Sequence, residues 1–290
     1  MIYGTILKGI GGFYYVSAGE KVYECRARGK FRKQGLKPMV GDVAGITVVN
    51  ETSLEGAVEE ICERKNSLVR PPVANIGYIV IVVAAASPLP DYYMIDKLTV
   101  MAEKNGINVV VCVNKTDIAS PDTIVDIYKK AGYEVVTVCA ETGEGTDSLK
   151  KIIKGSVAAF AGNSGVGKSS LLNCFGFDVM TGGVSKIERG RHTTRHVELF
   201  CTEDGSYIMD TPGFSILEVN GIEAEDLKEY FREFARFEGQ CKFAGCEHYG
   251  ANSSSCAVVK AAEEGIISPT RLESYQKLYS ELKEIKKWEK

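Results

Sequence analysis

Residues 160–173 read FAGNSGVGKSSLLN, and positions 162–169 within them satisfy G-x-x-x-x-G-K-[ST], the spacing of a phosphate-binding loop. This stretch constrains the fold more than any other, because such a loop works only between a strand and a helix. The apolar run SVAAFAG supplies the strand and KSSLLNCF the helix. Glycines let backbone N–H groups converge on phosphate oxygens, and the helix N-terminus adds its dipole. Lys168 would neutralise the β and γ phosphates, and Ser169 would ligate Mg²⁺. Gly162, Asn163, Ser164, Gly165, Val166, Gly167, Lys168, Ser169 and Ser170 are therefore the expected phosphate contacts.

The remaining nucleotide motifs occur in an unusual order. NKTD, residues 114–117, ends the apolar run INVVVCV and precedes the phosphate loop instead of following it. The Asp117 carboxylate would accept from guanine N1–H and N2–H together, a donor pair that adenine lacks. Asn114 would brace neighbouring loops, the Lys115 stem would cover the base, and Thr116 completes the turn. In VCAETG, residues 138–143, the Ala140 N–H would meet guanine O6. Downstream, YIMDTPGF (207–214) fits D-x-x-G, with Asp210 on Mg²⁺ and the Gly213 N–H sensing the γ-phosphate. Between them ERGRHTTRH offers Thr193 or Thr194 as the residue closing over Mg²⁺, with Thr194 preferred. The position that carries a water-orienting glutamine in Ras-like proteins is Phe214, which cannot hydrogen-bond water. Intrinsic hydrolysis should be slow, and His192 is the candidate within the chain for positioning water. A fold depends on which strands are neighbours and not on where the chain is nicked, so the order reads as a circular permutation. The rival reading, an unrelated ATPase with an accidental NKTD, separates from this one at Asp117.

Flanking segments differ in character. Before residue 67, GGFYYVSAG, KVYECRARG, PMVGDVAGITVV and GAVEEICERK alternate apolar and polar residues between glycines, a pattern for a small β-barrel of the OB type. SLVRPP reads as a linker, since its two prolines stop regular structure. Strands and helices then alternate, as in a doubly wound α/β sheet. Beyond Gly221, EAEDLKEYFREFARF is predicted helical, CKFAGCEHYGANSSSC a loop, and PTRLESYQKLYSELKEIKKWEK a charged amphipathic helix. The expected domains are residues 1–67, 68–220 and 221–290.

Cys241, Cys246, His248 and Cys256 form C-x4-C-x-H-x7-C, three thiolates and an imidazole suited to tetrahedral Zn²⁺. With little apolar material around it, that segment gains from a metal staple. CRARGKFRKQGLK, residues 25–37, carries six Lys or Arg and no acid, with Phe31 among them. It reads either as a solvated loop or as a grip on an RNA backbone with an aromatic available for stacking. The net charge of −3 does not by itself mark a nucleic-acid binder. The longest apolar run, IGYIVIVVAAA, is too short to span a membrane, and the N-terminus lacks a secretory leader. The nine cysteines are accordingly expected as reduced thiols or metal ligands in a cytoplasmic protein.

Taken together, NKTD before GNSGVGKSS, then GRHTT, DTPGF and CKFAGCEH with CAV, the sequence resembles the ribosome small-subunit-dependent GTPase A family of circularly permuted bacterial GTPases. The resemblance covers essentially the whole chain. It implies an α/β circularly permuted P-loop GTPase core, an N-terminal OB barrel that binds RNA, and a small, mostly helical zinc domain. It also implies GTP hydrolysis to GDP and phosphate, stimulated by the small ribosomal subunit in late maturation of that subunit and its rRNA. No membrane is involved, and the chain is expected to be monomeric. The family's proposed catalytic histidine maps to His192, and the residues themselves put Lys168 and Thr194 with it as the catalytic candidates. Its zinc ligands map to Cys241, Cys246, His248 and Cys256. The His248 to Cys256 segment is longer than the family's usual one. A non-enzymatic RNA-binding adaptor with a structural guanine nucleotide is the alternative function.

Overall fold

The computed structural model describes residues 1–33, 35–69, 71–177, 197–210 and 221–288. His192, Thr193, Thr194, Gly213 and Phe214 lie outside the described residues. Alternating burial drives the first segment into a closed barrel. Its strands are β1 (Ile2–Ile10), β2 (Phe13–Ala18), β3 (Lys21–Ala27), β4 (Val43–Asn50) and β5 (Glu55–Ile61), with the short helix α1 (Lys30–Lys33) after β3. They pair in the order β1-β2-β3-β5-β4, and β4 closes back onto β1 with Ile2 opposite Ile46. Ile6, Val16, Tyr23, Cys25, Ile46 and Val58 fill the interior. The sequence pattern misses β1. The register shift between Ile6 and Lys8 resets its alternation, which hides the period of two.

Phe31 corrects an expectation. It is only 3% exposed and packs into the barrel core, so it is not available for stacking. An aromatic in a run of cations is the one side chain there that the core accepts, and α1 turns it inward. Arg26, Arg28, Lys30, Lys33 and Lys37 stay exposed, Arg28 pairing with Glu59 at 2.6 Å. The supposed linker is also structured. β6 (Ser67–Leu68) and β7 (Val73–Ala74) form a two-stranded ladder, with Pro71 and Pro72 in its turn, where no N–H is needed.

The remaining elements are β8 (Ile76–Ala84), α2 (Tyr92–Lys104), β9 (Asn108–Asn114), α3 (Asp122–Lys130), β10 (Glu134–Thr137), α4 (Thr146–Ile153), β11 (Val157–Ala161), α5 (Lys168–Asn173), β12 (Glu198–Cys201), β13 (Tyr207–Asp210), α6 (Ala257–Glu263) and α7 (Pro269–Trp288). They fall into two compact units. The first holds residues 1–79, 150–161 and 172–215; the second holds 80–149, 162–171 and 216–290. In the first unit β11 and β13 run parallel, β12 is antiparallel to β13, and β12 pairs antiparallel with β1 of the barrel. Lys8 faces Glu198 in that last pairing, and their side chains form an ion pair at 3.0 Å.

In the second unit β9 and β10 are parallel, and β9 is buried from Val109 to Asn114, as a central strand requires. Asp91 caps α2 by accepting from the Met94 N–H at 3.0 Å. Residues 224–237 are two 3₁₀ helices, Ala224–Tyr230 and Arg232–Phe237, where the sequence predicts one longer helix. The break is Phe231, whose extended backbone drops its ring against Phe234 and Tyr275. α7, legible as a charged surface helix, buries Arg271 completely. Its guanidinium donates to Asp96 Oδ1 (2.7 Å) and Thr99 Oγ1 (3.1 Å) on α2, and to both Glu233 oxygens (2.7 and 3.1 Å). The Tyr128 hydroxyl also donates to Asp96 Oδ1 at 3.0 Å. Burial works against that charge, but Asp96 and Glu233 hold the Arg271 guanidinium well above its ordinary pKa. Arg232 to Glu103 (2.6 Å) and the Lys104 ammonium donating to Gly221 O (2.7 Å) add to the same junction. Among the described residues no helix is long and apolar enough to cross a membrane.

Candidate functional site

Asn114, the last residue of β9, is 2% exposed and bonded on both ends of its amide. Its Nδ2 donates to Val166 O in the phosphate loop (2.9 Å), and its Oδ1 accepts from the Ala140 N–H (3.0 Å). One side chain thus joins three loops that lie far apart in sequence. Lys115, at φ +65°, sends its ammonium to Gly165 O and Ser87 O, both at 2.7 Å. Thr116 Oγ1 donates to Val138 O at 3.1 Å, tying the NKTD turn to the loop bearing Ala140. Asp117 is exposed, its carboxylate unencumbered by burial. The sequence reading places the Ala140 N–H at guanine O6, and in the structure that N–H donates to Asn114 Oδ1.

β11 delivers the chain into the phosphate loop. Gly162 and Gly167 are demanded by close approach. A Cβ at Gly162 would lie 2.2 Å from Val82 O, and one at Gly167 would lie 2.2 Å from Asn114 Nδ2, both at positive φ. The Lys168 ammonium donates to Asn163 O (2.8 Å) and to Gly162 O, and burial lowers its pKa. Ser169 and Ser170 are half-buried in the first turn of α5. In the first unit Ala159 is opposite Met209, so Asp210 ends β13 level with Phe160 of β11. Gly167→Ala should therefore weaken binding of a fluorescent guanine nucleotide by about 10- to 100-fold, through strained backbone and a displaced Asn114. Fluorescence titration measures this, with circular dichroism checking that the fold is retained.

The cysteine–histidine set comes together. One ligand atom each from Cys241, Cys246, His248 and Cys256 lies within 4.8 Å of the others. His248 Nδ1 is 3.2 Å from Cys256 Sγ and 3.6 Å from Cys241 Sγ, and the two sulfurs are 3.9 Å apart. A zinc tetrahedron with ordinary Zn–S and Zn–N bonds has edges of about 3.6–3.8 Å, so the set fits that ion. Backbone N–H groups of His248 and Ala257 donate to Cys246 Sγ and Cys241 Sγ, both at 3.4 Å. Burial, with Cys241 and Cys246 beside it, pushes the Cys256 thiol up to about 12. The long segment between His248 and Cys256 does not prevent closure.

The chain matches the family model described as RsgA GTPase over residues 61–220, and that described as RsgA N-terminal domain over residues 3–57. It is 47% identical over 292 residues to the small ribosomal subunit biogenesis GTPase RsgA of Caldanaerobacter subterraneus subsp. tengcongensis, covering 99% of this chain and 97% of the relative. The chain belongs to the RsgA GTPase family. A second RsgA, from Agathobacter rectalis, is 45% identical, with 98% and 99% coverage. Among solved RsgA-like structures, YjeQ from Thermotoga maritima superposes with a TM-score of 0.80 at 36% identity, covering 97% of this chain and 98% of that one. YloQ, described as a circularly permuted GTPase, gives 0.78 at 35% identity, with 98% and 96% coverage. Like its RsgA relatives, the chain is a GTP hydrolase with a circularly permuted core, an N-terminal OB-like barrel and a zinc-type Cys3His cluster.

The sequence reading misses the Arg271–Asp96–Glu233 triad and the tyrosines of α7 around Glu247. No local motif announces either, since each depends on partners distant in the chain.

Proposed function

We propose that this protein hydrolyses GTP in late maturation of the small ribosomal subunit, with turnover stimulated by that subunit. The observation that supports this best is the Asn114 bridge, which brings a guanine-reading turn to a phosphate loop that follows it in the chain. Asp117 reads the base, residues 162–170 hold the phosphates, and Lys168 neutralises them. Ser169, Asp210 and Thr194 would hold Mg²⁺, which would supply charge neutralisation at the β and γ phosphates. Gly213 senses the γ-phosphate, Thr193 contacts the nucleotide as the alternative to Thr194, and His192 positions the attacking water in place of the glutamine that Phe214 replaces. Cys241, Cys246, His248 and Cys256 would hold Zn²⁺, which would staple the C-terminal module. The exposed cations of residues 25–37 on the barrel face rRNA. The protein works as a monomer in the cytoplasm, within the domain plan 1–67, 68–220 and 221–290.

The deciding measurement is GTP turnover with and without purified small subunits at two salt concentrations, with Lys168→Ala as control. Stimulation by an order of magnitude or more, weakened by salt and lost in Lys168→Ala, is the expected outcome. Turnover unchanged by subunits would favour an RNA-binding adaptor with a structural guanine nucleotide.

A further inference from the structure

His248 holds a left-handed backbone conformation, φ +56°, that is uncommon for a residue other than glycine. The surroundings are identifiable. The residue before it, Glu247, is held by α7 at two points: the Tyr275 hydroxyl donates to its carbonyl oxygen, and the Tyr279 hydroxyl donates to its carboxylate. Lys283 lies 3.8 Å from the same carboxylate. Positions 275, 279 and 283 are four apart, so all three side chains leave one face of the helix. The residue after it, Tyr249, stacks on Tyr279 with ring centroids 4.5 Å apart. The imidazole itself meets Phe234 edge-on at 5.7 Å, and Phe234 leans on Tyr275 at 4.9 Å. Tyr275 and Tyr279 are fully buried.

We infer that Tyr275 and Tyr279 are positioning residues for the metal, clamping Glu247 so that His248 Nδ1 is aimed at the three cysteine sulfurs. This rests on the reading of the Cys3His set as a zinc site. The chelate loop has no strand or long helix of its own to fix the imidazole, and α7 supplies the missing rigidity. Groups of this outer kind commonly alter metal affinity by 10–100-fold when removed.

The test uses the full chain with zinc content measured first. Tyr275→Phe, Tyr279→Phe and the double variant delete only hydroxyls and keep the rings. Zinc release to a chromophoric chelator should be about 10-fold faster in the double variant. After substitution with Co²⁺, its visible d–d bands should shift or broaden, reporting altered ligand geometry. Leu282→Ala, on the same helix but outside the clamp, should lower thermal stability and leave the Co²⁺ spectrum unchanged. Wild-type release rates and an unaltered spectrum in the double variant would overturn the inference, as would an equal spectral change in Leu282→Ala. Wild-type protein that binds no zinc would instead remove the metal reading beneath it, a result distinguishable because it precedes any variant.

Discussion

Asp117→Asn should exchange guanine for xanthine as the base this protein binds. Asp117 is exposed on the turn that Asn114 and Thr116 pin in place, so the substitution changes the recognition group and leaves its support alone. A carboxylate accepts two hydrogen bonds from guanine N1–H and N2–H. The Asn amide offers one acceptor and one donor, which matches xanthine N1–H and O2 and leaves the guanine amino group facing a donor. Sites built around paired polar groups reject mismatched partners strongly, and discrimination of 10⁴ or more is known for such sites. GDP affinity should fall by about 10³-fold while XDP affinity rises past it. Competition titration with both nucleotides measures the swap. Equal losses for both would show that Asp117 does not read the base. Because the Asn114 bridge is untouched, thermal stability without nucleotide should stay within about 0.5 kcal/mol of wild type.

Arg271→Ala should be the most damaging single change in the second unit. Arg271, Asp96 and Glu233 are 0%, 1% and 2% exposed, so the truncation strands two carboxylates in the interior. Breaking a buried ionic set by removing one partner costs about 3–5 kcal/mol, a large part of the stability of an ordinary domain. Arg271→Lys should fail nearly as badly. A single ammonium cannot make the paired bonds to Glu233 while also reaching Asp96 and Thr99. Urea unfolding followed by circular dichroism should show a marked fall in the transition midpoint for both variants. A midpoint near wild type for Arg271→Ala would mean that water or rearrangement satisfies Asp96 and Glu233, contrary to the packing described.

The nucleotide loops are legible because their chemistry is local: phosphate binding demands closely spaced glycines and a lysine, and guanine reading demands an aspartate after a strand. The Cys3His cluster is legible for the same reason, although spacing alone does not tell whether a long final segment can close. Arg271 is not legible, because its meaning lies in Asp96, 175 positions away. A cation in a charged helix otherwise reads as solvent-facing. Phe31 shows the converse: an aromatic amid cations looks like a stacking platform until the barrel claims it as core. β1 is hidden by its bulge, and the break at Phe231 arises because tertiary packing overrides helical propensity.

The pairing of β1 with β12 means that the barrel is not a bead on a string. Excising residues 1–67 would remove β1 from the edge of β12 that faces away from β13 and uncover that margin of the sheet. An uncovered strand margin of that sort invites self-association between molecules. A shortened chain that clumps would then be reporting a wounded sheet, and its behaviour would say nothing about whether the barrel touches RNA.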